Sequence, residues 1–223
     1  MLPLRFRLIA GVLEMLPTVI GKLVMMREVL ADDLQQIWEW ENDSEMGLYL
    51  NADPQKHMSM DEVRRRFQQY RTDPTSGLFV ICNLEKQSIG MLGFDRLYRD
   101  IGTCRLFIGI GSDDYRGRGY GTDAMRLVLR FFFRDMGVKK VQLSVYDFNS
   151  RAMASYRKCG FDVESVRRNI AYVNGAWCDS IEMAVSVDRY AELESGWDAE
   201  WSAAVAERRA FELSGSPSAV PSA

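Results

Sequence analysis

Apolar and polar positions along this chain fall into runs that change rhythm, and the changes lay out its elements. KLVMMREV (22–29) reads as a strand. ADDLQQIWEWENDSEM (31–46) sets Leu34, Ile37 and Trp38 on one face and predicts a helix. After a loop holding Asp53-Pro54, SMDEVRRRFQQYR (59–71) places Val63, Phe67 and Tyr70 on one stripe. Ser59 and Glu62 stand there at capping-box spacing, so a helix starts at that point. GLFVICNL (77–84) and SIGMLGFDRLY (88–98) read as strands joined by the polar turn Glu85-Lys86-Gln87. TCRLFIGIG (103–111) is a further strand that runs into a glycine-rich stretch.

The next helix extends from about Gly119 to Met136. Ala124, Val128, Phe132 and Met136 form its apolar stripe, and Asp123, Arg126, Arg130 and Arg134 its polar face. KKVQLSVYD (139–147) is a buried strand. Asn149 can cap the short helix SRAMASYRKC, which Gly160 ends. FDVESVRRNIAYV and WCDSIEMAVSV make a hairpin around Asn174-Gly175. The order is β-α-α-β-β-β-α-β-α-β-β over about 22–187, an α+β domain. Beyond it, residues 188–213 carry Tyr190, Leu193, Trp197, Trp201, Val205 and Phe211 at roughly helical steps. This C-terminal helix either packs on the domain or meets a second copy in a homodimer. SGSPSAVPSA (214–223) is small, polar and proline-bearing, and is expected to be a disordered tail. Residues 1–21 form an apolar N-terminal extension; Glu14 and Pro17 break its run, against both a signal peptide and a membrane span.

Composition narrows the partners. A net charge of −3 over 223 residues gives no field to draw DNA or RNA. Arg64-Arg65-Arg66 reads as a solvated helix face. Cys82, Cys104, Cys159 and Cys178 lie far apart, and with the single histidine, His57, they make no metal-ligand spacing. They read as reduced, buried thiols of a cytosolic protein. No Ser-His-Asp or Cys-His arrangement is present to argue from.

The stretch YRGRGYGTDAM (115–125) concentrates the candidate chemistry. A phosphate site, a tight turn and a bare helix cap all compete for it. A helix start leaves four backbone N–H groups unpaired and carries partial positive charge, which suits an incoming phosphate. Gly117, Gly119 and Gly121 remove the Cβ atoms that would hold a phosphate away. Arg116 and Arg118 add charge, and Thr122 adds a hydroxyl. A bare turn seldom needs three alternating glycines. No lysine completes a Walker loop. Gly119 to Ala124 does spell GxGxxA, and Asp147 could meet a ribose, so a dinucleotide site is a rival. Against it, seven residues, Ser112 to Arg118, separate the strand from Gly119.

Arg116-Gly117-Arg118-Gly119-Tyr120-Gly121 also fits (Gln/Arg)-x-x-Gly-x-(Gly/Ala). With strand LFIGIG before it and NSRAMASYRKCGF further on, the chain resembles the GNAT superfamily of acyl-CoA-dependent N-acyltransferases. Asn149, Tyr156, Gly160 and Phe161 fall in matching places, and the resemblance covers roughly 22–187. It is nearest the branch holding ribosomal-protein N-terminal and polyamine acetyltransferases. The resemblance implies an α/β/α arrangement: a central mixed, mostly antiparallel sheet, splayed at a cofactor cleft, with helices on both faces. It implies acetyl-CoA (coenzyme A) as cofactor, with its diphosphate at residues 116–122. The backbones of Ile108, Gly109 and Ile110 would follow the pantetheine arm, and a bulge there would free an N–H for the thioester carbonyl. Tyr156 matches the family's acid for the leaving thiolate, with Asn149 two helical turns before it.

No residue stands out as general base. Glu39, Glu41, Asp43 and Glu45 fall where the family forms its acceptor site and would suit a cationic amine, or are a solvated charged segment. Trp38, Trp40 and Tyr49 line that cleft or belong to the core, and Asp95 is a further substrate-side candidate. The implied reaction moves an acetyl group directly to a primary amine: a polyamine, a small-molecule amine or a protein N-terminus. It uses no metal and no covalent enzyme intermediate. The alternatives are a non-catalytic acyl-CoA-binding module and a dinucleotide-dependent oxidoreductase.

Overall fold

The computed structural model describes residues 18–213 apart from Pro54 and Lys56; the N-terminal stretch to residue 17, the 214–223 tail and the side chains of residues 208–213, Phe211 among them, lie outside the described residues. In chain order the elements are β1 (Val19–Ile20), β2 (Val24–Glu28), α1 (Leu34–Glu41), α2 (Ser44–Asn51), α3 (Met60–Thr72), β3 (Gly77–Asn83) and β4 (Ser88–Tyr98). Then come β5 (Thr103–Ile110), α4 (Tyr120–Arg130), β6 (Lys140–Tyr146), α5 (Ser150–Lys158), β7 (Asp162–Val173), β8 (Ala176–Ser186) and α6 (Val187–Leu213).

The strands form one sheet in the order β1-β2-β3-β4-β5-β6-β8-β7. Neighbours are antiparallel except β5 and β6, which are parallel and joined by the α4 crossover. The pleat sends alternate residues to opposite faces. One face carries Val24, Phe79, Leu106, Val141 and Met183 into a core with α4 and α6. The other carries Leu78, Val80 and Met91 into a second core with Ile37, Trp40, Met46 and Val63 of α1–α3. Helices therefore cover both faces. No described helix is long and apolar enough to cross a membrane.

Three local outcomes depart from the sequence pattern. The helix expected over 31–46 is two helices. Asp43 turns to extended geometry and its Oδ1 accepts the Met46 N–H at 2.8 Å, capping α2 and breaking the run. The side-chain amide of Asn42 fixes the break by bonding both Trp38 and Met58. At the end of α4, Phe131–Asp135 winds as a π-turn, with Met136 N–H reaching Phe131 C=O at 3.1 Å. The wider turn buries three successive phenylalanines: Phe131 against Phe79, Phe132 against Phe94, Phe133 against Tyr190.

The third departure concerns the polar face of α4, which meets protein rather than water. α6 lies along it. Arg126 pairs with Glu200 at 2.9 Å and stacks over Trp197; Arg130 stacks over Trp201; Arg134 pairs with Glu194 and Asp198. Asp123 is buried beneath α6. Its Oδ1 accepts Trp201 Nε1–H at 2.8 Å, and its Oδ2 accepts Leu23 N–H at 2.7 Å and Val24 N–H at 3.1 Å. Tyr190, Trp197 and Trp201 of α6 are thus buried against their own chain.

Candidate active site

β5 and β6 pair over only three residues, Thr103↔Lys140, Cys104↔Val141 and Arg105↔Gln142, and then diverge. β5 stays bound to β4 on its other side as far as Ile110↔Gly90, and β6 to β8 as far as Tyr146↔Ser180. The parted half-strands enclose a cavity of about 480 Å³. Ile108, Gly109 and Ile110 line one wall, Ser144, Val145 and Tyr146 the other, and Asn149 and Tyr156 close the α5 side. The expected bulge is not at 108–110, where pairing with β4 is regular. It lies on β4 after Asp95, where Arg96 adopts φ 53° and the register shifts by one residue. Three consecutive apolar residues on a strand gave no signal for either outcome.

At the mouth, Gly117 and Gly119 hold φ 73° and 89°, left-handed values that only glycine adopts without strain. α4 then begins at Tyr120 with no side-chain cap. Its first internal bond is Asp123 N–H to Gly119 C=O. Among the described residues none accepts from the backbone N–H groups of 117–122. A Cβ built at Gly117 meets nothing within 4 Å, and one at Gly121 meets only Ile110 at 3.6 Å. Unpaired donors around empty space at a helix start form a cradle for an anion, and side chains there would fill it.

The cationic and hydroxyl groups near this loop divide. Arg116 faces inward: Nε donates to Ile110 C=O at 2.7 Å, and Nη2 to Gly111 C=O at 3.1 Å. It also pairs with Glu45 at 2.6 Å, Asp113 at 2.5 Å and Asp43 at 3.4 Å. Its charge therefore serves the end of β5 and the start of α2. Arg118 is exposed and outside the cavity lining. Tyr120 packs edge-on against Tyr115. Thr122 lines the cavity, with its hydroxyl 2.7 Å from Ser155 Oγ on α5. Asn149 Oδ1 caps α5 by accepting Ala152 N–H at 3.1 Å, which leaves its amide NH₂ for the cavity it lines.

Tyr156 is buried in the cavity wall, and its phenol is pushed well above the ordinary tyrosine range by burial first and by neighbouring Cys159 second. It stays a proton donor at neutral pH. Its ring meets Phe161.

The residues expected to meet the acceptor separate on the α1–α3 face. Asp95 lines the cavity, and its buried Oδ1 has no hydrogen-bond partner. Glu39 is exposed and bonded to Gln35 and Gln36. Glu41 is buried against Arg66. Glu45 binds Arg116 and, at 3.3 Å, Arg151. Tyr49 lines the cavity, Trp40 is core, and Trp38 donates to Met58 C=O at 2.7 Å. Sequence reasoning passed over Arg105, Ser144, Arg151, Arg167 and Ser180, all in the lining. Arg105, Ser144, Arg167 and Ser180 stand on strands and Arg151 on α5, and Arg105, on the phase opposite the core residues Cys104 and Leu106, carries no pattern that marks it in the sequence.

Comparison with known proteins agrees with this geometry. A family model described as acetyltransferase (GNAT) domain matches residues 24–162. The SPbeta prophage-derived uncharacterized N-acetyltransferase YokL of Bacillus subtilis is 30% identical over 118 residues, 53% of this chain and 66% of that protein. Spermidine N(1)-acetyltransferase of Escherichia coli K12 is 25% identical over 169 residues, 75% of this chain and 88% of that protein. The crystal structure of Vibrio cholerae spermidine N-acetyltransferase with CoA and spermine superposes with a TM-score of 0.69 at 22% identity, covering 75% of this chain and 97% of that one. With the family match running from β2 into β7 across the parted strands and the amide cradle, the chain belongs to the GNAT acetyltransferase family and is an acetyl-CoA-dependent N-acetyltransferase.

Proposed function

We propose that the chain transfers an acetyl group from acetyl-CoA to a primary amine that enters the parted half of the β5–β6 seam from the α1–α3 face. The observation that carries this is the run of unpaired amides from Gly117 to Thr122 at the mouth of that seam. Those amides hold the diphosphate, with the helix start supplying partial positive charge. The free edges of Ile108–Ile110 and of β6 hold the amide-bearing arm. When bound, acetyl-CoA supplies the acetyl group as an activated thioester.

The chain's own residues do the rest. The amide NH₂ of Asn149 orients the arm. Tyr156 Oη keeps its proton because burial disfavours phenolate, and gives it to the departing sulfur. Asp95 Oδ1, buried and without a partner, receives the N–H of the incoming amine. Tyr49, Leu50 and Phe107 line the same side and limit water around the reacting nitrogen. Thiol release from acetyl-CoA, measured across a panel of primary amines, tests the reading. Amine-dependent release with a matching acetylated product is expected. Tight CoA binding without release from any amine returns the chain to a binding module.

A further inference from the structure

Toward β4, β5 and β7 the cavity lining carries one acid, Asp95, and two arginines, Arg105 and Arg167, while Arg151 lies over the Tyr49 ring and pairs with Glu45. The arrangement of the first three discriminates among amines. Asp95 on β4 and Arg105 on β5 are cross-strand partners, so both side chains leave the same face of the sheet. Arg105 Nη2 donates to Ser144 Oγ at 2.5 Å and lies 3.6 Å from Glu182 Oε2. Arg167, from edge strand β7, approaches Glu182 Oε1 at 2.9 Å. Two guanidinium groups share one carboxylate, so one positive charge is left over. Asp95, with an unpartnered oxygen, leaves one negative charge over. This floor is neutral in sum and polarised across its width.

A polyamine finds little here. The acids that would attract it are engaged: Glu41 by Arg66, Glu45 by Arg116 and Arg151, Asp43 by Arg116. Among the described residues Asp95 is the one carboxylate in the lining, and the arginine pair repels any further ammonium. A zwitterion meets complementary charge at both ends.

We propose that the acceptor is a small primary amine that also bears a carboxylate. Its amine lies at Asp95, its carboxylate at Arg105 and Arg167, and its apolar body against Phe107, Tyr146 and Ile170. The inference rests on the reading that the amine enters the parted seam. In the transfer the amine nitrogen gains the acetyl carbon as the C–S bond breaks. One amine proton leaves to Asp95, Tyr156 Oη supplies one to sulfur, and solvent returns the first to Tyr156.

The test compares matched amines by kcat/KM for thiol release, expressed per free-base amine. L-Phenylalanine, L-methionine and ω-amino acids of increasing length are set against their decarboxylated counterparts, with spermidine alongside. At least one carboxylate-bearing member is expected to exceed its counterpart by about 10- to 100-fold, the range of a charge-assisted hydrogen-bonded contact. Arg167→Gln, at a half-exposed side chain, is expected to cut that ratio about tenfold, and Arg167→Lys to restore part of it. Arg105→Gln is expected to act in the same direction. Decarboxylated amines or spermidine consumed as well as the acids, or a ratio untouched by both glutamine variants, overturns the acidic acceptor and leaves the acetyltransferase intact. Thiol release from no amine overturns both readings.

Discussion

For Tyr156, the surroundings bear directly on the proposed role of proton donor. The side chain is buried, so ionising it would strand a phenolate away from water, and its proton stays on through the alkaline range. Tyr156→Phe is therefore expected to lower kcat by about 10²- to 10⁴-fold, the usual range for a positioned proton donor. CoA affinity, measured by titration, should stay within about threefold. Because the shift is upward, the rate should rise with pH as the amine deprotonates and hold to about pH 10, the ordinary tyrosine value. A falling limb below that value that disappears in Tyr156→Phe would contradict the role. Tyr156 was singled out by the family resemblance, in the segment between the Asn149 cap and the Gly160 stop. Asp95 was legible only as a charge on a strand, and Arg105 not at all, since a lone arginine among apolar residues has no pattern of its own. The acids at 39–45 show a related gap: sequence gives their charge but not the partners that Glu41, Asp43 and Glu45 find in arginines. Glu41 meets Arg66, 25 residues away in sequence.

At the scale of elements, α4 serves as both cradle and crossover, and the two duties can be separated. Gly121 has an ordinary helical backbone, and a Cβ there meets Ile110 at 3.6 Å, normal contact. Gly121→Ala is expected to leave thermal stability unchanged or raised by up to about 1 kcal/mol, while CoA binding weakens at least tenfold. Loss of stability with intact CoA binding would show that the glycine serves packing. The far side of α4 is held by α6, through a buried bond between Asp123 and Trp201. Trp201→Phe keeps the bulk and removes the donor, leaving a buried carboxylate oxygen unsatisfied. It should cost about 1–3 kcal/mol, seen by calorimetry as a fall of roughly 2–12 °C in Tm; a shift under about 1 °C would contradict this. Strands, caps and the hairpin were legible in the sequence because each rests on neighbours in the chain: Ser59 with Glu62, Asn149 with Ala152, Asn174 with Gly175. The covered face of α4 was not, because Arg126, Arg130 and Arg134 look the same facing water as facing α6. The Asp43 cap was written in the sequence but hidden inside an apolar rhythm that continued past it.

Over the whole molecule, the sheet consists of a five-stranded part, β1–β5, and a three-stranded part, β6–β8, that meet along three residue pairs. The α4 crossover and the underlying cores supply the remaining connection. A ligand that fills the seam binds the folded state alone, so CoA at a hundred times its Kd is expected to stabilise the protein by about 2.7 kcal/mol. Hydrogen exchange locates the effect: amides of 106–110 and 143–146 facing the gap should slow on CoA addition, while those of β2 and β3 stay as they were. Uniform protection across the sheet would count against a localised seam. The topology itself followed from the family resemblance and not from periodicity, which reports that β5 and β6 are buried strands but not that they part.

The parting of β5 from β6 gives the fold two interior rims. Rims at the outside of a sheet are guarded by charges, prolines or bulges. The Arg116 guanidinium covers the Ile110 C=O, but Ile108 and Gly109 have none of these, and what shields them is whatever occupies the gap. Without an occupant they are open to invasion by a stray extended segment. The persistence of this enzyme in a cell should therefore follow the supply of the very thioester it consumes, with starvation for acetyl-CoA shortening its life as well as stilling its turnover.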